Sequence, residues 1–155
     1  MSKILDLIRY ILEKYKYKDD LSKARLNKII YLIDWVSAIR RDRQITPIRW
    51  YYNYYGPYVK DIEKAIQEDD RFEIKKGLNY YGNEKNVIFL KKDEAFNDLK
   101  EEEKEIVDFV IENTQNLNWS DFMNLVYSTY PIVKAEKFSN LDLVELAKEY
   151  KKAQK

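Results

Sequence analysis

Between Leu21 and Arg41 the chain carries two apolar stripes at once. Leu26, Ile29, Ile30, Ile33 and Val36 recur at helical spacing on one side, and Tyr31, Leu32, Trp35 and Ile39 on another. A helix that is apolar around so much of its circumference has no face to give to water, so other elements must surround it. The chain is therefore expected to fold around this one helix. Asp19 or Asp20 stands where a carboxylate caps the first free amides, and Arg40 and Arg41 suit the negative end of the helix dipole.

The flanking segments supply the surrounding layer. Ile4, Leu5, Ile8, Ile11, Leu12 and Tyr15 predict an amphipathic helix from Lys3 to Tyr17, with Asp6, Arg9, Glu13 and Lys16 on its wetter side. Ile48 to Tyr55 reads as extended. Gly56-Pro57 reads as a turn, with Pro57 in the first position of a helix carrying Val59, Ile62 and Ile66 and ending near Asp69-Asp70. Phe72–Lys75 and Val87–Leu90 read as strands of a hairpin whose long loop holds Gly77, Tyr80, Tyr81 and Gly82. A third long helix is expected from Asn97 or Asp98, with Leu99, Ile106, Phe109, Val110 and Ile111 inward. A short helix capped by Ser120 carries Phe122, Met123, Val126 and Tyr127 and ends at Pro131. A last helix capped by Asn140 carries Leu143, Val144, Leu146 and Ala147.

The order predicts an α+β fold, predominantly α: a single compact helical domain over 1–155, its core about 3–150, with a small β-hairpin inserted between helices. A length of 155 residues suits one hydrophobic core.

The composition excludes much chemistry. There is no cysteine, so disulfides, zinc–thiolate sites, iron–sulfur clusters and thiol nucleophiles are ruled out. There is no histidine, which removes the usual neutral-pH base, the commonest metal ligand and the hydrolase triads. The acidic residues form no outstanding pair, and the three glycines form no phosphate-cradling loop. No enzymatic activity, metal or cofactor is expected. The N-terminal apolar run is broken by Asp6 and Arg9 and lacks the features of a signal peptide, and no stretch approaches the roughly 18 apolar residues of a spanning helix. The cytoplasm is the expected location, with no membrane partner.

What remains is a surface for another macromolecule. Five of the 14 tyrosines, Tyr51, Tyr52, Tyr54, Tyr55 and Tyr58, lie between Trp50 and Tyr58. In an extended segment Trp50, Tyr52 and Tyr54 share one face while Tyr51 and Tyr55 share the other. Tyrosine combines large apolar area, a polar tip and few rotatable bonds, which suits interfaces. One small domain can hardly bury all these rings, so these five, with Tyr80 and Tyr81, are the candidate partner contacts. Arg40, Arg41, Arg43 and Arg49 form a basic cluster beside them. It reads as a solvated helix end, as a patch for an acidic protein, or as a single-stranded nucleic-acid site with phosphates on Arg and bases on rings. The net charge of +1 disfavours nucleic acid.

Two motifs add a family resemblance. Ala24-Arg25-Leu26-Asn27-Lys28-Ile29-Ile30-Tyr31-Leu32 resembles the early helix of the Panacea, or SocA-like antitoxin, domain. Lys28 and Tyr31 fit its pattern, and Arg25 stands where a lysine is usual. Trp50 to Tyr58 resembles that family's aromatic-Tyr-Gly-Pro signature through Tyr55, Gly56 and Pro57. Trp119 to Pro131 is similar to its late helix, without the histidine and the tryptophan common there. The resemblance runs roughly from Leu21 to Ile132. It implies a bacterial or phage-encoded antitoxin that binds and neutralises a cognate toxin protein by direct contact, and, for some members, an adaptor role delivering the toxin to a protease. The alternative is an autoregulatory nucleic-acid binder using the Arg40–Arg49 cluster.

Overall fold

The helix at the centre is α2, Lys23–Arg41, in which every residue from Arg25 to Trp35 is buried. The computed structural model describes residues 2–78 and 84–154. Among them are also α1 (Ser2–Lys14), α3 (Asp61–Gln67), α4 (Glu101–Thr114), α5 (Trp119–Ser128), α6 (Tyr130–Lys134) and α7 (Leu143–Ala153). Two small antiparallel sheets complete the fold, which is α+β and predominantly α. Helices α4 and α7 pack along α2. Trp35 meets the Tyr150 ring of α7 edge-on at 5.7 Å. No helix among the described residues is long and apolar enough to cross a membrane.

One sheet has the order β2-β1-β5, from β1 (Trp50–Asn53), β2 (Gly56–Pro57) and β5 (Asn140–Leu141). The other pairs β3 (Phe72–Leu78) with β4 (Glu84–Leu90) in a register running from Phe72↔Leu90 to Leu78↔Glu84. These strands are longer than the predicted four-residue runs. They are tied to the centre by a bridge between Ser22 and Val87 and by Phe72 and Ile88, which are buried in the core.

Several boundaries differ from the sequence expectation. The chain enters α2 through a single 3₁₀ turn, Lys18–Asp20, so Asp19 and Asp20 are too early to cap it. Ser22 caps instead, accepting from the Arg25 amide at 3.2 Å. Helix α1 stops at Lys14, and Asp6 is buried rather than wet, accepting from the Asn97 amide at 3.0 Å. That bond ties down the chain before α4, which begins at Glu101 rather than Asn97. Phe109 is half-exposed under the Arg40 guanidinium, and Val107 takes the core place expected for it. Asn118, not Ser120, caps α5, and Asp142, not Asn140, caps α7. Asn140 lies in β5. Pro131 opens α6 instead of ending α5, which fits a residue that has no amide to satisfy in a first turn.

The largest difference concerns Gly56-Pro57. These residues form edge strand β2, and α3 starts only at Asp61, so Pro57 does not begin a helix. An edge strand tolerates proline because its outer side needs no N–H.

Candidate functional site

Asp34, Tyr31 and Asn27 of α2 face the tyrosine segment and hold it in place. The Asp34 carboxylate is fully buried and accepts from the amides of Ile45 (2.9 Å) and Thr46 (3.0 Å), the Thr46 hydroxyl (2.5 Å) and the Trp50 indole (2.9 Å). Burial raises its pKa to about 6, while these donors pull it back toward the charged form. Asp34 thus fixes both the turn after α2 and the first residue of β1. Tyr31 meets the Trp50 ring edge-on at 5.6 Å, and its hydroxyl bonds the Thr129 hydroxyl at 2.8 Å. Asn27 clamps the backbone beyond β2, donating to the Val59 carbonyl at 2.8 Å and accepting from its amide at 3.3 Å. Of the residues singled out by motif, Tyr31 and Trp50 are therefore core braces.

Between these braces the chain reverses. Asn53 pairs with Gly56 and Tyr52 with Pro57, leaving Tyr54 and Tyr55 as the turn. Gly56 has φ +91°, and neither turn tyrosine has positive φ. A turn of ordinary handedness closes an antiparallel pair when a glycine supplies the left-handed residue that follows it. The strand thus ends at Asn53, and its face alternation does not reach the tip. Tyr54 and Tyr55 do not divide between two faces. Both are exposed, at 67% and 78%. Tyr51, Tyr52 and Tyr58 are half-buried. A β-carbon on Gly56 would lie 3.6 Å from the Tyr127 ring, so the hairpin leans on α5.

A cleft of about 410 Å³ opens beneath the tip. Its floor is Ala24 and Lys28, one helical turn apart on α2. Asn53, Tyr54, Tyr55 and Tyr58 form one wall, and Trp119 and Met123 of α5 form the other. Two exposed aromatics not chosen from the sequence extend this surface. Trp119 is half-exposed at the cleft wall, and Phe138 stacks edge-on against Tyr54 at 4.9 Å. Phe138 holds φ +65°, an unusual conformation for a bulky residue, and its amide donates to the Tyr52 carbonyl at 2.7 Å. Periodicity in the sequence gives no sign of Phe138, because a loop residue 84 positions beyond Tyr54 reaches it only through β5 pairing with β1.

Lys28 differs from its neighbour Arg25, although both are buried. Arg25 is fully employed: it donates to the Tyr15 hydroxyl (2.7 Å) and to the carbonyls of Thr114 and Leu117 (2.8 Å each) at the end of α4. Lys28 makes one long bond, 3.4 Å to the Pro57 carbonyl, and its ammonium lies 5.3 Å from the Tyr58 ring centre. It has no carboxylate partner among the described residues. Burial alone lowers its pKa to about 8.

Two of the four arginines are engaged by acidic side chains of α4. Arg41 and Arg43 share Glu102, and Arg41 also approaches Glu103. Arg40 covers Phe109, and Arg49 is exposed. The acidic first turn of α4 thus offsets much of the cluster's charge. Tyr80 and Tyr81 lie outside the described residues. Among those residues no group of three or more acidic side chains converges as a metal site.

Fold and site together define a small helical domain that presents an aromatic hairpin tip beside a cation-floored cleft. The match of a family model narrows this: the model described as "Antitoxin SocA-like, Panacea domain" matches residues 26–131, which run from the second turn of α2 to the first turn of α6. The chain belongs to this antitoxin-like family. No curated protein and no solved structure matches it.

Proposed function

We propose that this protein is an antitoxin that binds its cognate toxin protein and neutralises it by direct contact, through the Tyr54-Tyr55 tip and the surface around it. It acts without catalysis, as a single cytoplasmic domain. The observation that carries this reading is the exposure of two adjacent tyrosines on a tightly braced turn. Monomeric proteins rarely leave contiguous apolar area open without use, and rings on a rigid turn lose little entropy on binding. Family membership supports the antitoxin role. The offset charge around Arg41 and Arg43 favours this reading over a nucleic-acid one.

The test is co-expression with the product of the adjacent open reading frame, which is expected to arrest growth alone and to be tolerated with this protein. Tyr54→Ala/Tyr55→Ala should abolish rescue while leaving thermal unfolding unchanged within a few degrees. An interface anchor is worth about 2 kcal/mol, or roughly 30-fold in Kd. Full rescue by the double variant refutes the assignment of the tip. Accumulation of intact, bound toxin during rescue separates neutralisation from delivery to a protease.

A further inference from the structure

We propose that the cleft under the tyrosine tip receives a single carboxylate side chain, an Asp or Glu of the bound protein partner, which pairs with Lys28. This rests on the docking role of the tip and specifies what docks there.

The argument starts from the state of Lys28. The residue is only 3% exposed, yet it lines the floor of an open cleft. A buried ammonium is ordinarily held by an anion and several acceptors. Lys28 has one long carbonyl contact and one ring. A neighbouring cation on the same helix shows the ordinary arrangement. Lys23, on the same helix, bonds Glu63 at 2.8 Å, and that carboxylate also accepts from Gln67 at 3.1 Å. Lys28 lines the cleft with no carboxylate partner among the described residues, so charge complementarity calls for a negative group arriving from outside.

The surroundings select the kind of molecule that carries the charge. Exposed rings of Tyr54, Tyr55, Trp119 and Phe138 continue the surface beyond the cleft, so the occupant is larger than the cleft and largely apolar around its charge. A nucleic acid needs a row of cations at phosphate spacing. Here one cation stands alone, while Arg41 and Arg43 are engaged by Glu102 and Glu103. A protein segment bearing one acidic residue among apolar neighbours meets both requirements. Once the segment covers the cleft, the pair is shielded from water and discriminates strongly between a carboxylate and its amide.

The test uses the full chain as bait for a displayed library of short random peptides at physiological ionic strength, without knowledge of the toxin. The best-enriched peptide is then made with its acidic residue changed to the amide (Glu→Gln or Asp→Asn), and both are titrated by calorimetry. The acidic peptide should bind the wild-type protein at least about 30-fold more tightly. In Lys28→Met that ratio should collapse to near one, whereas Tyr55→Ala should weaken both peptides and leave the ratio standing. Enrichment that depends on Tyr55 but shows no acidic residue overturns the carboxylate pairing and leaves the docking role intact. A ratio that persists in Lys28→Met also overturns it. No capture that depends on the tip removes the docking role and the pairing together. The wild-type ratio is informative by itself should the variant fail to fold.

Discussion

Replacing Lys28 by methionine should stabilise the folded protein, although it removes a charged residue from the centre of the molecule. Burial displaces the Lys28 pKa from 10.5 to about 8. Each tenfold change in a proton equilibrium corresponds to about 1.4 kcal/mol, so keeping the ammonium charged inside the fold costs about 3 kcal/mol relative to the unfolded chain. Methionine fills a similar volume with no charge to desolvate. It forfeits the long bond to Pro57 and the contact with the Tyr58 ring, together about 1 kcal/mol. The net gain at pH 7 is about 2 kcal/mol, read by urea unfolding with tryptophan fluorescence. The pH dependence provides an independent check. Above pH 8 the folded lysine has released its proton, while the unfolded lysine keeps its proton up to 10.5. The unfolded state therefore binds more protons in that window, and wild-type stability rises with pH relative to the variant. The advantage of Lys28→Met should shrink between pH 8 and 10.5, and other titrations cancel in the difference. A variant less stable than wild type at pH 7, or an advantage that does not change with pH, refutes the reasoning.

Gly56→Ala should lose about 1–2 kcal/mol, because an L-residue is strained at φ +91°. The added methyl meets the Tyr127 ring only at ordinary contact distance, so backbone strain rather than a clash sets the value. Differential scanning calorimetry measures it, and a neutral result would mean that the turn relaxes. Asp34→Ala should cost at least about 3 kcal/mol, since it strands the amides of Ile45 and Thr46 and the Trp50 indole without an acceptor. The same variant should free the 44–50 segment, seen as faster amide exchange at Ile45 and Thr46; unchanged protection there would show that Asp34 does not brace the turn.

The legible part of this fold was the part set by periodicity. Two apolar stripes on one segment left α2 no place but the centre, and the two short runs Phe72–Lys75 and Val87–Leu90, separated by a loop with Gly77 and Gly82, marked the hairpin. Caps were less legible because the polar runs offer several candidates within a few residues. Asp19, Asp20 and Ser22 are all competent, and the choice falls to Ser22 only because a 3₁₀ turn occupies the first two. Asp6 and Phe109 were misplaced for a related reason. Side chains at a helix edge go inward or outward according to what the next element offers, here the Asn97 amide for Asp6 and the Arg40 guanidinium for Phe109.

The candidate site was half legible for a physical reason of its own. The crowding of tyrosines was visible as composition, but their separation into braced and exposed rings depends on where the strand stops, and Gly56 decides that. With φ +91° the glycine ends β1 at Asn53 and lifts Tyr54 and Tyr55 clear of the sheet. Lys28 was visible only as part of a pattern. Its significance lies in the lack of a carboxylate partner among the described residues, which can be judged only after Arg25, Asn27, Tyr31 and Asp34 are each found to be satisfied. Asn27, Tyr31 and Asp34 fasten the tyrosine segment to α2, Arg25 fastens α2 to Tyr15 and the end of α4, and all these bonds are complete without Lys28. A residue that shares their helix, burial and spacing yet contributes little to the fastening, and lowers stability by staying charged, has its favourable interactions elsewhere. Among the described residues, it lines the cleft under Tyr54 and Tyr55.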